Sequence, residues 1–321
     1  MKIAIPDDYQ SVIPGLDCFS LLQGFEVLTW NDSVDDIDTL AARFAGADAL
    51  VLTRERTRID GALLERLPGL RLISQTGKVS EHIDVGACSR HGVAIAEGVG
   101  SPVAPAELTW ALIMASMRRL VPAVESMKRG RWQTNIGDCL AGKTLGIWGY
   151  GKIGQRIARF ARAFDMEVLV WGRDGSLRRA REDGLALAGS RERLFELADV
   201  VSLHLRLNDE TRGIVRYRDL ARMKPEALFV NTSRAELVAP GALRRALQDG
   251  RPGRAALDVY EQEPLTDPHH WALTNGQVLC TPHLGYVERQ SYELYFGTAF
   301  QNLVNFFAGH PTGILNPEVL G

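Results

Sequence analysis

Short apolar runs alternate with amphipathic stretches along almost the whole chain of 321 residues. Many of these runs are apolar throughout, as strands covered by helices on both faces must be. Such an alternation is typical of β-α-β units and predicts parallel sheets flanked by helices. The predicted strands form two series, which are 2–5, 25–30, 49–53, 70–75 and 93–96, and then 144–148, 167–171, 200–205, 227–231, 255–259 and 278–281.

Two long helical stretches frame the second series, at 102–131 and at about 288–307. Chains beyond about 250–300 residues usually divide into domains, because one hydrophobic core stops growing at that size. We therefore predict that the chain crosses into a second domain near residue 100 and returns near residue 287. On this prediction, residues 1–100 plus 288–321 form one domain and residues 101–287 form the other.

Composition excludes several classes of function. A net charge of -2 offers no clustered basic surface for nucleic acid. No apolar run approaches the ~18 to 20 residues that span a bilayer, and the first residues do not resemble a signal peptide. The four cysteines are scattered, and the pair Cys88 and His91 has no second ligand pair nearby, so we expect no metal site. A cytoplasmic protein is the expectation.

A glycine-rich loop follows the predicted strand 144–148 and precedes an amphipathic helical stretch. Its sequence is Gly-Tyr-Gly-Lys-Ile-Gly, in which Gly149 allows a tight turn, Gly151 a close approach to a pyrophosphate, and Gly154 close packing of helix on strand. The N–H groups of Lys152 and Ile153 would bind the phosphates, helped by the helix dipole. The loop predicts a dinucleotide-binding Rossmann unit.

The residues after the next strand bear on the choice between NAD and NADP. An acidic residue that binds the ribose 2′-hydroxyl is expected about 20 residues after the glycine loop. Gly172 occupies that position and Arg173 follows it, which favours a 2′-phosphate and therefore NADP. Asp174, two residues after Gly172, could instead fold back toward the ribose, which would favour NAD. Alternatively, Arg173 is simply exposed to solvent and does not contact the cofactor.

Three polar segments come at the carboxyl ends of later predicted strands, where open α/β sheets bind ligands. They are 231–234 (Asn-Thr-Ser-Arg), 257–264 (Leu-Asp-Val-Tyr-Glu-Gln-Glu-Pro) and 281–285 (Thr-Pro-His-Leu-Gly). They supply a cation, a carboxylate and an imidazole. Reduction of a 2-keto acid needs a fixed cation for the carboxylate and carbonyl, and an acid that protonates the developing alkoxide. Histidine suits the acid role, and a neighbouring Glu would orient its ring.

With these segments in this order, the chain resembles the D-isomer-specific 2-hydroxyacid dehydrogenase family, which includes phosphoglycerate, glyoxylate/hydroxypyruvate and D-lactate dehydrogenases. The resemblance extends to Gly-Lys-Thr-Leu-Gly at 142–146 and Met-Lys-Pro at 223–225. It implies two Rossmann-like, doubly wound parallel-sheet domains, with the cofactor domain inserted in a flavodoxin-like substrate domain. It also implies hydride transfer between NAD(P)(H) and C2 of a small D-2-hydroxy or 2-keto acid.

The resemblance implies a role for individual residues. Arg234 matches the substrate-binding arginine, Glu263 the glutamate that pairs with the histidine, and His283 the acid/base. Asp258 matches the aspartate at the nicotinamide amide, and Thr232 and Ser233 line the cofactor cleft.

One loop departs from the family pattern. The family often has Gly-Val-Gly-x-Asp-x-Ile-Asp where residues 77–84 read Gly-Lys-Val-Ser-Glu-His-Ile-Asp, so the second glycine is replaced by Val79 and Lys78 is added. Together with Arg54 and Arg56 of an earlier loop, Lys78 could favour a substrate with a second anionic group. An ordinary charged loop is the equal alternative. The candidate substrate-binding residues are Arg54, Lys78, Val79 and Arg234.

The leading hypothesis is a keto-acid reductase. A non-catalytic, NAD-sensing corepressor is the competing class, because the same fold serves such proteins. The apolar segment 108–117 and the extension through Trp132 resemble the family's dimerisation arm and predict a homodimer.

Overall fold

The computed structural model describes all residues from Met1 to Gly321. The chain divides into two compact units. We call Met1–Ser101 with Val287–Gly321 the first unit, and Pro102–Tyr286 the second unit.

The strands and helices alternate as the apolar runs predict. The strands are β1 (Lys2–Ile5), β2 (Glu26–Thr29), β3 (Ala49–Leu52), β4 (Leu72–Gln75), β5 (Ala94–Ala96), β6 (Thr144–Trp148), β7 (Glu167–Trp171), β8 (Ala186–Leu187), β9 (Val200–Leu203), β10 (Leu228–Asn231), β11 (Arg254–Leu257) and β12 (Val278–Cys280). The helices are α1 (Ile37–Phe44), α2 (Gly61–Leu64), α3 (Val85–Arg90), α4 (Val103–Met117), α5 (Leu120–Lys128), α6 (Lys152–Ala163), α7 (Asp174–Glu182), α8 (Arg191–Leu197), α9 (Tyr217–Leu220), α10 (Ala242–Gln248), α11 (Trp271–Thr274) and α12 (Arg289–Phe307).

The first unit contains a five-stranded sheet in the order β2-β1-β3-β4-β5, and every pairing is parallel. This is the flavodoxin-like order, and its switch point lies between β1 and β3. Helix α12 covers the sheet, since the Ser74 hydroxyl of β4 donates to the Ala299 carbonyl 2.8 Å away. The loops after β3, β4 and β5 therefore lie side by side at the carboxyl edge of the sheet.

The second unit contains a seven-stranded parallel sheet in the order β12-β11-β10-β9-β6-β7-β8. The strand order reverses between β6 and β9, which is the Rossmann switch point. Alternate side chains enter two separate cores, with Ile147 and Ile157 in one and Trp148 and Phe195 in the other. The predicted fold class, two parallel sheets with helices in an α/β chain, is confirmed.

The stretch 102–131 differs from the single helical region that the sequence predicts. Helix α4 ends at Met117 and α5 begins at Leu120, because Arg119 adopts the left-handed conformation with φ of 50°. The break leaves the apolar side chains of α4, such as Ile113, inside the core of the second unit. In this region of the chain, the exposed apolar side chains lie on α5 and in the segment that follows it.

Candidate functional site

The glycine loop joins β6 to α6 in the second unit. Gly149 has φ of 102°, and a Cβ there would lie 2.4 Å from the His204 carbonyl oxygen at the end of β9. A Cβ on Gly154 would lie 2.3 Å from the Gly149 carbonyl oxygen. Neither position tolerates a side chain, so the two glycines fix the loop against the sheet at its switch point.

Gly151 faces open space, since a Cβ added there would meet no atom within 4 Å. It is the N-cap of α6 and offers no side chain to the N–H groups of Lys152 and Ile153 at the helix start. The first N–H groups of a helix have no intrahelical acceptor. An open approach, unoccupied donors and a helix of 12 residues together fit the phosphates of a dinucleotide.

Arg173 lies at the N-cap of α7 with its side chain 70% exposed. One guanidinium nitrogen is 3.8 Å from a carboxylate oxygen of Glu210, which is equally exposed at 77%. Asp174 begins the helix and is also exposed. Arg179, one turn further on, donates to the Tyr150 carbonyl of the glycine loop at 3.2 Å. Neither Glu210 nor Arg179 is among the residues predicted from the sequence.

The turn after β10 is held by Asn231. Its amide nitrogen donates to the Arg234 carbonyl at 2.8 Å, and its oxygen accepts from the Ser233 N–H at 3.1 Å. The Ser233 hydroxyl donates to the carbonyl of Leu203, while the hydroxyls of Thr232 and Thr109 lie 2.7 Å apart. The backbone that carries Arg234 is therefore fixed by hydrogen bonds to neighbouring elements.

His283 and Glu263 meet although they follow different strands. The Nδ1–H of His283 donates to Oε2 of Glu263 over 2.6 Å, and the Tyr260 N–H donates to the other carboxylate oxygen at 2.9 Å. Both side chains are mostly buried, at 21% and 16% exposure. Because Glu263 takes up Nδ1, Nε2 is the ring nitrogen that remains for a reacting group.

Asp258 binds the loop that carries His283. The buried carboxylate accepts from the Thr281 hydroxyl at 2.6 Å, the Leu284 N–H at 2.8 Å and the Gly285 N–H at 2.9 Å. Burial raises the pKa of Asp258 above its usual range, while these donors and His283 pull it down. These bonds hold His283 in a left-handed conformation with φ of 53°, which costs a non-glycine residue of order 1–3 kcal/mol.

In the first unit, Arg54 is anchored to the loop after β4. Its N–H donates to the Thr76 hydroxyl at 2.8 Å, and its guanidinium lies 3.4 Å from the Thr76 carbonyl and 5.7 Å from the ring centre of Tyr295. A Cβ on Gly77 would collide with the guanidinium. The glycine is therefore what allows Arg54 to lie along this loop.

Lys78 and Val79 both contact Glu97, which follows β5 and which the sequence analysis did not identify. The Lys78 ammonium lies 2.7 Å from one carboxylate oxygen, and the Val79 N–H donates to the other at 2.9 Å. The two predicted substrate-binding donors thus share one internal carboxylate.

Comparison with known proteins decides the family. The model of the D-isomer specific 2-hydroxyacid dehydrogenase NAD binding domain matches residues 110–285. The chain belongs to this family. It is an NAD(P)-dependent 2-hydroxyacid dehydrogenase family enzyme, and its second unit contains the NAD-binding domain.

The relatives of this dehydrogenase differ in their substrates. The chain is 37% identical to a glyoxylate reductase of Aeropyrum pernix, over 88% of this chain and 87% of the relative. It is also similar to an oxidoreductase of Ralstonia solanacearum described as a candidate D-3-phosphoglycerate dehydrogenase, with 55% identity, a TM-score of 0.98 and coverage of 100% and 98%. A phosphoglycerate oxidoreductase of Vibrio cholerae has 55% identity and a TM-score of 0.94, with coverage of 96% and 99%.

None of the helices of this dehydrogenase has the length and apolar character needed to cross a membrane. No group of three or more His, Cys, Asp or Glu side chains is arranged to bind a metal ion.

Proposed function

We propose that this dehydrogenase transfers a hydride between NAD(P)(H) and C2 of a small D-2-hydroxy or 2-keto acid, with His283 as acid/base. The observation that carries the proposal is the 2.6 Å hydrogen bond between His283 and Glu263. A carboxylate on Nδ1 fixes the tautomer and the plane of the ring. The N–H of Tyr260 fixes the carboxylate in turn.

In the direction of reduction, Nε2 of His283 donates a proton to the keto oxygen as that oxygen becomes an alkoxide. A dinucleotide bound at the glycine loop would supply the hydride for C2. Glu263 stabilises the imidazolium before the transfer, and solvent restores the proton to His283 afterwards. Arg234 binds the substrate carboxylate and polarises the carbonyl through its planar guanidinium. Oxidation runs through the same groups in reverse.

For the cofactor, we propose Gly149, Gly151, Gly154 and the N–H groups of Lys152 and Ile153 as phosphate-binding positions. Thr232, Ser233 and Asp258 are proposed to border the nicotinamide end. Arg173 is proposed to bind a 2′-phosphate, which gives a preference for NADP. The exposed contact with Glu210 at 3.8 Å weakens that preference, because an exposed ion pair contributes little and the carboxylate repels phosphate.

For the substrate, we propose that Arg54, Lys78 and Val79 of the first unit bind an anionic group. A backbone N–H and an ammonium are the donors that a carboxylate needs. The Lys78 ammonium and the Val79 N–H already bind the carboxylate of Glu97, which supports their assignment as anion-binding donors.

We also propose that the enzyme is a cytoplasmic homodimer assembled through the second unit. Its exposed apolar side chains include Met127 at 65%, Trp132 at 74% and Ile136 at 91% exposure. Large apolar side chains that are exposed in one short stretch of the chain favour an interface there. Light scattering at micromolar concentration should give the mass of a dimer, and Ile136→Asp should shift it toward the monomer. A monomeric wild type would contradict this assembly.

Turnover tests the proposed function. Purified enzyme is mixed with NADH or NADPH and a panel of 2-keto acids that includes glyoxylate, pyruvate and hydroxypyruvate. We expect oxidation of the dinucleotide with at least one of them. Tight binding of dinucleotide without turnover on any member of the panel would instead favour the NAD-sensing, corepressor-like alternative.

A further inference from the structure

Glu97 meets the two donors of the first unit that are expected to bind substrate. Its carboxylate accepts from the Val79 N–H at 2.9 Å and lies 2.7 Å from the Lys78 ammonium. Its side chain is 20% exposed, whereas that of Lys78 is 63% exposed. The carboxylate is therefore the more enclosed member of the pair, directed at the same atoms that a substrate carboxylate would use.

The backbone of Glu97 cannot move away easily. Its N–H donates to the Gly313 carbonyl at 2.9 Å, and its own carbonyl accepts from the Asn302 side chain at 3.1 Å. The next N–H, that of Gly98, donates to the Gly77 carbonyl at 2.8 Å. These bonds fix the residue at the edge of the sheet, so only its side-chain torsions can release the donors.

A Cβ on Gly98 would lie 2.5 Å from the Gln75 carbonyl oxygen, so the chain after β5 packs directly on the loop after β4. The contact between Glu97 and its two donors is built into the packing of adjacent loops. Neither loop can shift without breaking this packing.

We propose that Glu97 is a specificity-determining residue, an internal anion that competes with the substrate carboxylate for the Val79 N–H and the Lys78 ammonium. This rests on the proposed function, in which those donors bind substrate. A keto acid must displace the Glu97 carboxylate or bind beside it, and either lowers its affinity. Both effects grow with the negative charge of the substrate.

The consequence is a preference for singly charged 2-keto acids. Lys78, which could bind a second anionic group, is neutralised by Glu97. Glyoxylate then loses less affinity than a keto acid with a second carboxylate or a phosphate. The preference reflects charge and does not require a change in the shape of the site.

Glu97→Gln tests the proposal, because the amide keeps the size of the side chain and removes its charge. We expect the KM for glyoxylate to fall about two- to fivefold with little change in kcat, as partly exposed ion pairs are of this strength. For oxaloacetate, which carries two carboxylates, kcat/KM should rise more, so that the oxaloacetate-to-glyoxylate ratio increases about threefold or more. The KM for the dinucleotide should stay as in wild type.

Two further variants serve as controls. Asp32→Asn removes a carboxylate from another ion pair of the first unit, that of Arg43 and Asp32, and should leave both KM values unchanged. Glu97→Asp keeps the charge and should give the same ratio of kcat/KM for oxaloacetate to kcat/KM for glyoxylate as wild type.

A direct measurement of glyoxylate binding tests the role of Glu97 independently of catalysis. Ligand-observed NMR gives the Kd of glyoxylate for wild type and Glu97→Gln without turnover, and we expect a smaller Kd for the variant. Absence of turnover in wild type would count against the proposed function alone. An unchanged or larger Kd in a variant that melts like wild type, or an unchanged ratio, would overturn the role of Glu97.

Discussion

The two units of the enzyme carry the proposed functional side chains at the carboxyl edges of parallel sheets, yet these side chains have different hydrogen-bond partners. In the second unit, His283 is oriented by Glu263, and its backbone is held by the hydrogen bonds of Asp258. In the first unit, the donors of Lys78 and Val79 already bind a carboxylate of the same unit.

This difference matches the roles proposed for the two sets of groups, which are proton transfer in the second unit and substrate binding in the first. A group that moves protons gains from fixed neighbours, since no reorganisation is needed during the reaction. A group that binds an anion only exchanges one partner for another, so its net contribution depends on what it binds beforehand. We therefore expect substitutions in the second unit to change kcat and those at Glu97 to change KM.

The largest effect is expected for His283→Ala. Loss of the proposed acid should lower kcat by about 100- to 10,000-fold, because a positioned general acid contributes that much. The Kd for the dinucleotide, measured by fluorescence titration, should stay near the wild-type value. His269→Ala is the matched control, since His269 is an exposed histidine of the same unit. Wild-type turnover in His283→Ala would show that His283 is not the general acid.

Arg234→Lys should reduce kcat/KM by about a hundredfold. Lysine keeps the charge but lacks the planar pair of donors that matches a carboxylate. Arg222→Lys, a change at an ion pair on the surface, should leave the kinetics as in wild type. If the two lysine variants behaved alike in steady-state assays, Arg234 would have no special role.

The sequence predicts much of this architecture. The bounds of β6 and β7 agree with the predicted runs 144–148 and 167–171, since each is apolar on both faces and followed by a turn signal. Strand β8 is not among the predicted strands, since it has only two residues within the short apolar run Leu-Ala-Leu-Ala at 185–188. The break at Arg119 does have a sequence signal, which the predicted single stretch leaves out: Pro122 lies in the first turn of α5, whereas inside one continuous helix it would break the hydrogen bonding.

The site is predictable where a motif carries it and not where packing creates it. His283 and Glu263 each belong to a recognisable segment, and the fold brings them together. Glu97 belongs to no motif, and it reaches Val79 only because β4 and β5 are paired neighbours. Glu210 also belongs to no motif, and it lies near Arg173 although their strands, β9 and β7, are separated by β6.

A smaller effect is expected for Arg173→Ala. If Arg173 binds a 2′-phosphate, the ratio of kcat/KM for NADPH to that for NADH should fall about tenfold, since an exposed charge-assisted hydrogen bond is at the weak end of its range. Arg178→Ala, on the exposed face of α7, is the control. A wild-type preference for NADH that Arg173→Ala leaves unchanged would show that Arg173 faces solvent.

The smallest effect concerns stability near the glycine loop. Burial lowers the pKa of His204 to about 4 from an ordinary 6.5, so the folded protein binds this proton only below the range where the unfolded chain does. The contribution of this residue to the free energy of unfolding is fully present above pH 6.5 and is lost as the pH falls toward 4. Between pH 7.5 and 5.5 the free energy of unfolding should fall by about 1 kcal/mol more in wild type than in His204→Asn. Urea denaturation at both pH values measures this difference, and equal losses would mean that His204 is protonated in the folded state.

The most direct test follows the transferred hydride in wild type and in the variant that lacks the proposed acid. Wild type and His283→Ala are given glyoxylate or pyruvate with NAD(P)H deuterated at C4 of the nicotinamide, and the products are examined by NMR and chiral chromatography. We expect wild type to place deuterium on C2 of the 2-hydroxy acid, with the D configuration from pyruvate, and His283→Ala to form this product at least 100-fold more slowly. Product without deuterium at C2, an L product, or equal rates in the two proteins would contradict the assignment of the second unit as a preformed acid/base site.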